Sequence, residues 1–188
     1  MKIVTVINDE KNLFFKFLRL SCAINNLNLV TLVSNKSVFF SNRLKDDLLN
    51  TYLQKEDDEE IILFTDGNDA ILSASEEEIL LKFSEFKSDL VFSTEIECWP
   101  DKSLADRYKT NDETAYKYLN SGGFIGRVGL IKELLNDLFA AIDRKQDVIH
   151  KLQGYIIKYP GVPQFKNYLY YIDLNFNNKY FIEIIHFF

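Results

Sequence analysis

The sequence is poor in the residues that build metal cages and covalent frameworks. Its 188 residues include two histidines, two cysteines, three prolines, seven glycines and one tryptophan. Two histidines exclude a His-rich metal centre, so any metal must lean on carboxylates. Cys22 and Cys98 lie far apart and belong to no CxxC pair. They read as reduced, partly buried thiols, not as a disulfide framework. Long apolar runs are missing as well. No window approaches the roughly 18 apolar residues of a membrane span. The opening MKIVTVIND has too short an apolar run for a signal peptide and reads as a first strand. The expected setting is the cytoplasm. Excess positive charge is also absent, with 22 Lys and Arg against 28 Asp and Glu and a net charge of −6. That argues against a smooth basic surface, so no nucleic-acid partner is expected.

What is present describes a folded α/β domain. Hydrophobic residues make up 47% and charged residues 27%, which excludes a disordered or fibrous chain. KIVTVI at 2–7 is a β-branched run that ends at Asn8 and Asp9. Residues 11–25 repeat apolar side chains at helical spacing, and residues 28–34 read as a second strand. Ser41 can cap a helix to about residue 54. The run EDDEE at 56–60 reads as a solvated turn, with an acidic binding patch as the other option.

IILFT at 61–65 is a compact strand that runs into Asp66. Ser75 and Glu78 form a capping box for the next helix. DLVFST at 89–94 is another strand, and residues 128–142 form an amphipathic helix. A weaker helix is read at 147–158, with strands at YYIDL and YFIEII. Alternating strands and helices predict one unit with a largely parallel sheet and helices on both faces.

In open sheets of this kind, ligands bind beyond the carboxyl ends of the strands. Asp66-Gly67-Asn68-Asp69 follows the third strand. Two carboxylates three residues apart can converge on a divalent cation, because Mg²⁺ and Mn²⁺ prefer hard oxygen ligands. The same four residues are also good turn formers, and both readings stay open. Asn120-Ser121-Gly122-Gly123-Phe124-Ile125-Gly126 holds three of the seven glycines. It reads either as a loop that approaches a ligand closely or as a tight loop into an edge strand. Trp99, between Cys98 and Pro100, can be a core residue or a platform for a sugar or base.

Taken together, IILFTDGNDAILSA, LVFSTEIECWPD and YLNSGGFIG resemble the glycosyltransferase domain of the procollagen lysyl hydroxylases and its bacterial and viral relatives. The resemblance runs from about residue 60 to 126, and KIVTVIN is similar to the family's first strand. It implies a GT-A-like fold, a UDP-sugar donor and a Mn²⁺ (or Mg²⁺) ion. By the same resemblance, Asp66 and Asp69 match the metal-binding pair, and His186 matches a third ligand near the chain end. Thr5 and Asn8 match the strand end that meets uridine, and Lys45 a lysine near the donor. Trp99 matches the tryptophan of the family's CWP segment, while Asn120, Ser121 and Gly122 match a sugar-facing loop.

The sequence also departs from the family. Asn68 stands where the family often has an aromatic residue near the nucleotide. The family's Asp-Gln pair corresponds here to Gln146-Asp147, and Asp147 is the candidate carboxylate near the sugar or acceptor. A plain helix-start acid is the other reading of Asp147. Asp173 resembles a late-strand aspartate that has a structural alternative.

The expected function is transfer of a hexose from a UDP-sugar to a sugar or protein hydroxyl. Asp147 and Asn120 are the catalytic candidates. The expected domain is 1–188, shortened at its C-terminus relative to the family. The changed Gln-Asp order and the missing Gly-Asn-Gly tail motivate an alternative, a degenerate, non-catalytic binding or interaction domain. Another type of nucleotide-binding domain is disfavoured, because neither GxGxxG nor GxxxxGK[ST] occurs.

Overall fold

The computed structural model describes residues 1–34, 42–86, 88–98 and 118–143, together with Lys102, Ala105 and Tyr116. The expected helix at 147–158, the two late strands, Ser41, Trp99, Asp147, Asp173 and His186 lie outside the described residues. The elements follow in the order β1 (Lys2–Ile7), α1 (Leu13–Ile24), β2 (Leu29–Val33), α2 (Asn42–Leu53) and β3 (Ile61–Thr65). Then come α3 (Glu76–Glu85), β4 (Leu90–Glu95), β5 (Tyr118–Arg127) and α4 (Val128–Asp143).

The strands form one sheet in the order β2-β1-β3-β5-β4. β1 is parallel to β2 and β3. β5 runs antiparallel to both its neighbours, β3 and β4. Four strands therefore share one direction, and their carboxyl ends line one edge. This is the mixed, largely parallel α/β arrangement that the sequence pattern predicts.

Strand alternation divides the core into two layers. Ile3, Ile7, Leu63, Val91 and Ile125 pack on the side of α1 and α3, against Phe15, Leu18, Ile79 and Phe83. Val4, Val6, Ile62, Phe64 and Leu90 pack on the side of α2 and α4, against Leu49, Leu53, Val128 and Ile131. Helices thus cover both faces. No helix among the described residues is long and apolar enough to cross a membrane.

Local chemistry sets the helix ends. Asn12 caps α1 by accepting from the Phe14 amide, 2.8 Å away. Ser75 caps α3 by accepting from the Glu78 amide at 3.3 Å. At the end of α1 the Asn25 side chain donates to the Ser21 and Leu72 carbonyls. Asn26 then takes a left-handed conformation, φ 53°, which asparagine tolerates better than most residues. Cys22 and Cys98 are buried thiols outside any disulfide. Burial pushes the Cys22 thiol up to about 11, so little thiolate forms near neutrality.

The EDDEE run is more than a solvated turn. It sits at the amino-terminal edge of the sheet, where cations from three elements meet it. Glu56 pairs with Lys2 of β1. Asp58 pairs with Lys132 of α4 at 2.6 Å, and Glu59 with Arg127 of β5 at 3.1 Å. Consecutive acids alone do not reveal this, because their partners come from distant parts of the chain.

The Lys2 ammonium, followed by the Tyr52 hydroxyl, holds the Glu56 carboxyl below its ordinary range. With the folded pKa below the unfolded one, this contribution is complete at neutral pH and lost as pH falls through the carboxylate range. Urea unfolding of wild type and Lys2→Met across that range should therefore differ most at neutral pH and converge in acid. A constant difference would contradict this pairing.

Candidate active site

The carboxyl edge of the sheet gathers side chains from α2, β3 and β5. β3 ends in Phe64-Thr65 and runs into Asp66, with Phe64 packed on the α2 and α4 side. Phe124 of β5 lies opposite Phe64 in register, and the rings stack at 4.9 Å. Phe92 of β4 extends this aromatic floor, 5.1 Å from Phe124.

Lys45 reaches over the floor from α2. It is only 7% exposed, and its Nζ lies 5.6 Å from the centroid of Phe64. The same nitrogen donates to Asp66 Oδ1 at 2.8 Å. A buried ammonium is costly unless it is paired, and here carboxylate and aromatic face supply the compensation.

β5 holds Asp66 from the other side. Its backbone amide donates to the Gly122 carbonyl at 2.8 Å. Asn120 Oδ1 in turn accepts from the Gly122 amide at 2.7 Å. A Cβ on Gly122 would lie 2.5 Å from Asp66 Oδ2 and 2.9 Å from Asn120 Oδ1. Only glycine leaves both oxygens where they are.

This arrangement corrects the expected loop at Asn120-Ser121-Gly122-Gly123. These residues belong to β5, an interior strand between β3 and β4. The β4–β5 register steps from Phe92↔Phe124 to Ser93↔Asn120, so Ser121–Gly123 bulge out of that ladder. The glycines serve the bulge and the close approach to Asp66. Glycine content alone could not distinguish a bulge from a loop.

The remaining candidates surround this centre. Asp69 is partly buried and Asn68 exposed, on a bend immediately after β3. Gly67 is buried, and a Cβ there would run into the Ile7 and Thr5 side chains. Thr5 is fully buried beneath it, while Asn8 is exposed just past β1. Ser121 is exposed at the crest of the bulge.

Sequence reading passed over Ser34. Its hydroxyl, like those of Thr5 and Thr94, is buried with no hydrogen-bond partner among the described residues. All three lie towards the carboxyl ends of their strands. Buried polar groups are normally satisfied, so these hydroxyls mark the same edge as Asp66.

The oxygens of Asp66 and Asp69 are hard donors of the kind Mg²⁺ and Mn²⁺ take. Among the described residues, no group of three His, Cys, Asp or Glu is gathered for a metal ion. Lys45 also occupies one Asp66 oxygen. The donor chemistry therefore fits a hard divalent ion, provided that further ligands complete its shell.

In class, this is a mixed α/β domain with a carboxylate centre at the strand ends. The PLOD GT domain model matches residues 1–159, and the chain belongs to that family of glycosyltransferase domains. Over 83 residues it is 46% identical to procollagen-lysine,2-oxoglutarate 5-dioxygenase of Drosophila melanogaster, covering 44% of this chain and 12% of that protein. Over 87 residues it is 41% identical to the human multifunctional procollagen lysine hydroxylase and glycosyltransferase LH3, covering 46% and 11%.

Uncharacterized protein R699 of Acanthamoeba polyphaga mimivirus is 42% identical over 87 residues, covering 45% of this chain and 19% of that protein. The matched segment is thus a small part of each relative. Among solved structures, a glycosyltransferase involved in glycosylation of the PBCV-1 major capsid superposes with a TM-score of 0.47 at 9% identity, covering 74% of this chain and 65% of that one. Galactosyltransferase LgtC gives 0.43 at 14%, covering 92% and 70%. Neither fit is close enough to bear on function.

Removing either member of the central ion pair should have unequal effects. Asp66→Ala leaves the Lys45 ammonium buried against Phe64 without its carboxylate. A cost of about 1–3 kcal/mol is expected, less than for a fully buried pair because Asp66 is one-third exposed. Lys45→Met in the Asp66→Ala background should recover most of that loss in urea unfolding. Additive losses would show that the pair is not coupled.

Proposed function

We propose that this domain transfers a hexose from a UDP-sugar to a hydroxyl of a sugar or protein acceptor, with a divalent metal ion bound. The observation that carries this reading is the meeting of Asp66, Lys45, Asn120 and Gly122 at one point on the strand-end edge, in a chain of this family. Asp66 and Asp69 would hold Mn²⁺ or Mg²⁺, with His186 as a third ligand. The ion would supply charge neutralisation for the diphosphate leaving group.

The protein's own contribution is orientation and electrostatics. The Lys45 ammonium lies beside Asp66 and adds positive charge where the diphosphate would sit. Asn120 accepts from the Gly122 amide through its amide oxygen, and its amide nitrogen is the donor assigned to a sugar hydroxyl. Ser121 and Gly122 shape the surface against the sugar. Asn8 and Asn68 are assigned to the uridine side, with Thr5 buried beneath that edge as its support and Trp99 as a stacking surface. Asp147 is assigned to the sugar or acceptor. The setting is read as the cytoplasm, in keeping with two thiols held outside any disulfide.

One observation favours a second reading. Lys45 already neutralises an Asp66 oxygen, as it would in a degenerate domain that binds without metal or catalysis. Release of UDP from UDP-hexoses, measured with and without Mn²⁺, separates the two. The transferase reading predicts Mn²⁺-dependent turnover that is lost in Asp66→Ala and Asp69→Ala. It fails if Mn²⁺ changes neither UDP binding nor turnover in the wild type.

Gly122→Ala gives a finer test. Its Cβ would displace two side-chain ends, Asp66 Oδ2 and Asn120 Oδ1, and leave the core alone. Turnover should fall about a hundredfold, the scale of a misplaced reacting geometry, while the unfolding midpoint hardly moves. Wild-type turnover in this variant would remove Gly122 from the site.

A further inference from the structure

The β5 bulge needs something to hold it. Where Ser121–Gly123 leave the β4 ladder, the carbonyls of Asn120 and Gly123 flank an interruption of the regular β4–β5 pairing. The Ser93 hydroxyl stands between them, 3.1 Å from the Asn120 carbonyl oxygen and 3.0 Å from that of Gly123. One hydroxyl proton serves both acceptors in this position.

We infer that Ser93 is the positioning residue of the site, and that it holds Asp66 in place by pinning both ends of the bulge. The route is short and continuous. Ser93 fixes the Asn120 and Gly123 carbonyls, and the Asn120 side chain fixes the Gly122 amide. The Gly122 carbonyl then accepts from the Asp66 amide. Each step is a hydrogen bond of ordinary length, and no other side chain is needed to connect β4 to the central carboxylate.

Among the described residues the Ser93 hydroxyl bonds the two ends of the bulge, so its effect passes through the bulge. Substitutions at this position separate the hydroxyl from the strand. Threonine keeps the hydroxyl and suits a strand, whereas alanine keeps the strand and removes the donor. This assignment rests on the transferase reading for its catalytic consequence, but not for its structural one.

The experiment uses the full chain with Ser93→Ala and Ser93→Thr, and reads two quantities. The first is amide hydrogen exchange by NMR. In Ser93→Ala the Asp66 and Gly122 amides should exchange about tenfold faster, the scale of one lost hydrogen bond, while Ile62 and Leu63 amides stay unchanged. Ser93→Thr should stay near wild type. The second is Mn²⁺-dependent UDP release, where Ser93→Ala should lower kcat more than it raises the donor KM, and Ser93→Thr should restore it.

Unchanged exchange at Asp66 in Ser93→Ala overturns the proposal. Uniformly faster exchange, including Ile62 and Leu63, also overturns it by reducing Ser93 to general stability. If Ser93→Ala does not fold, an Asp66 exchange rate in Ser93→Thr as fast as the core-relative loss predicted for alanine overturns it instead. Absence of turnover in the wild type sinks the transferase reading, while the exchange result still decides the role of Ser93.

Discussion

The structure turns on how one carboxylate is held. Asp66 directly follows a buried strand, where a charged group would be expensive without partners. Lys45 supplies an ammonium to one oxygen, and Gly122 makes room for the other. The backbone amide of Asp66 is tied to the Gly122 carbonyl. Charge, space and backbone are therefore satisfied by α2 and β5, two elements far apart in sequence. The same partners leave Asp66 one-third exposed at the strand-end edge, where a ligand can reach it.

The antiparallel insertion of β5 makes this possible. A purely parallel sheet would bring another strand's carboxyl end beside β3. Here β5 brings its beginning, with Asn120–Gly123, against the end of β3. The bulge then bends that beginning towards Asp66 without breaking the pairing to β3. At the opposite edge, Lys2, Arg127 and Lys132 meet the EDDEE run. The densest acidic run of the chain is thus paired with cations far from the site.

Much of this was legible in the sequence. Short apolar runs such as KIVTVI and IILFT and the helical spacing at 128–142 mark β1 to β4 and the helices in order, because strands buried on both faces and amphipathic helices leave those patterns, whereas β5 was not read as a strand. The D-G-N-D turn and the LNSGG motif pointed to the strand-end edge, where the structure brings the two together. The hydrogen-bonding state of LNSGG was not legible. A bulged interior strand and a glycine loop share the same composition, and only the register against β3 and β4 separates them. Ser93 stood within a recognised motif without being singled out, since its role depends on carbonyls some thirty positions away. Lys45 was noted through the resemblance, but its pairing with Asp66 required the packing of α2.

The central claim is that the edge built around Asp66 binds a UDP-sugar through a divalent metal ion. The most direct measurement is a crystal structure of the full chain with UDP and Mn²⁺, using anomalous scattering to locate manganese. The account predicts a manganese peak bonded to Asp66 and Asp69 at about 2.2 Å, with the diphosphate on the same ion. UDP bound with the Lys45–Asp66 pair intact and no manganese at Asp66 would contradict it.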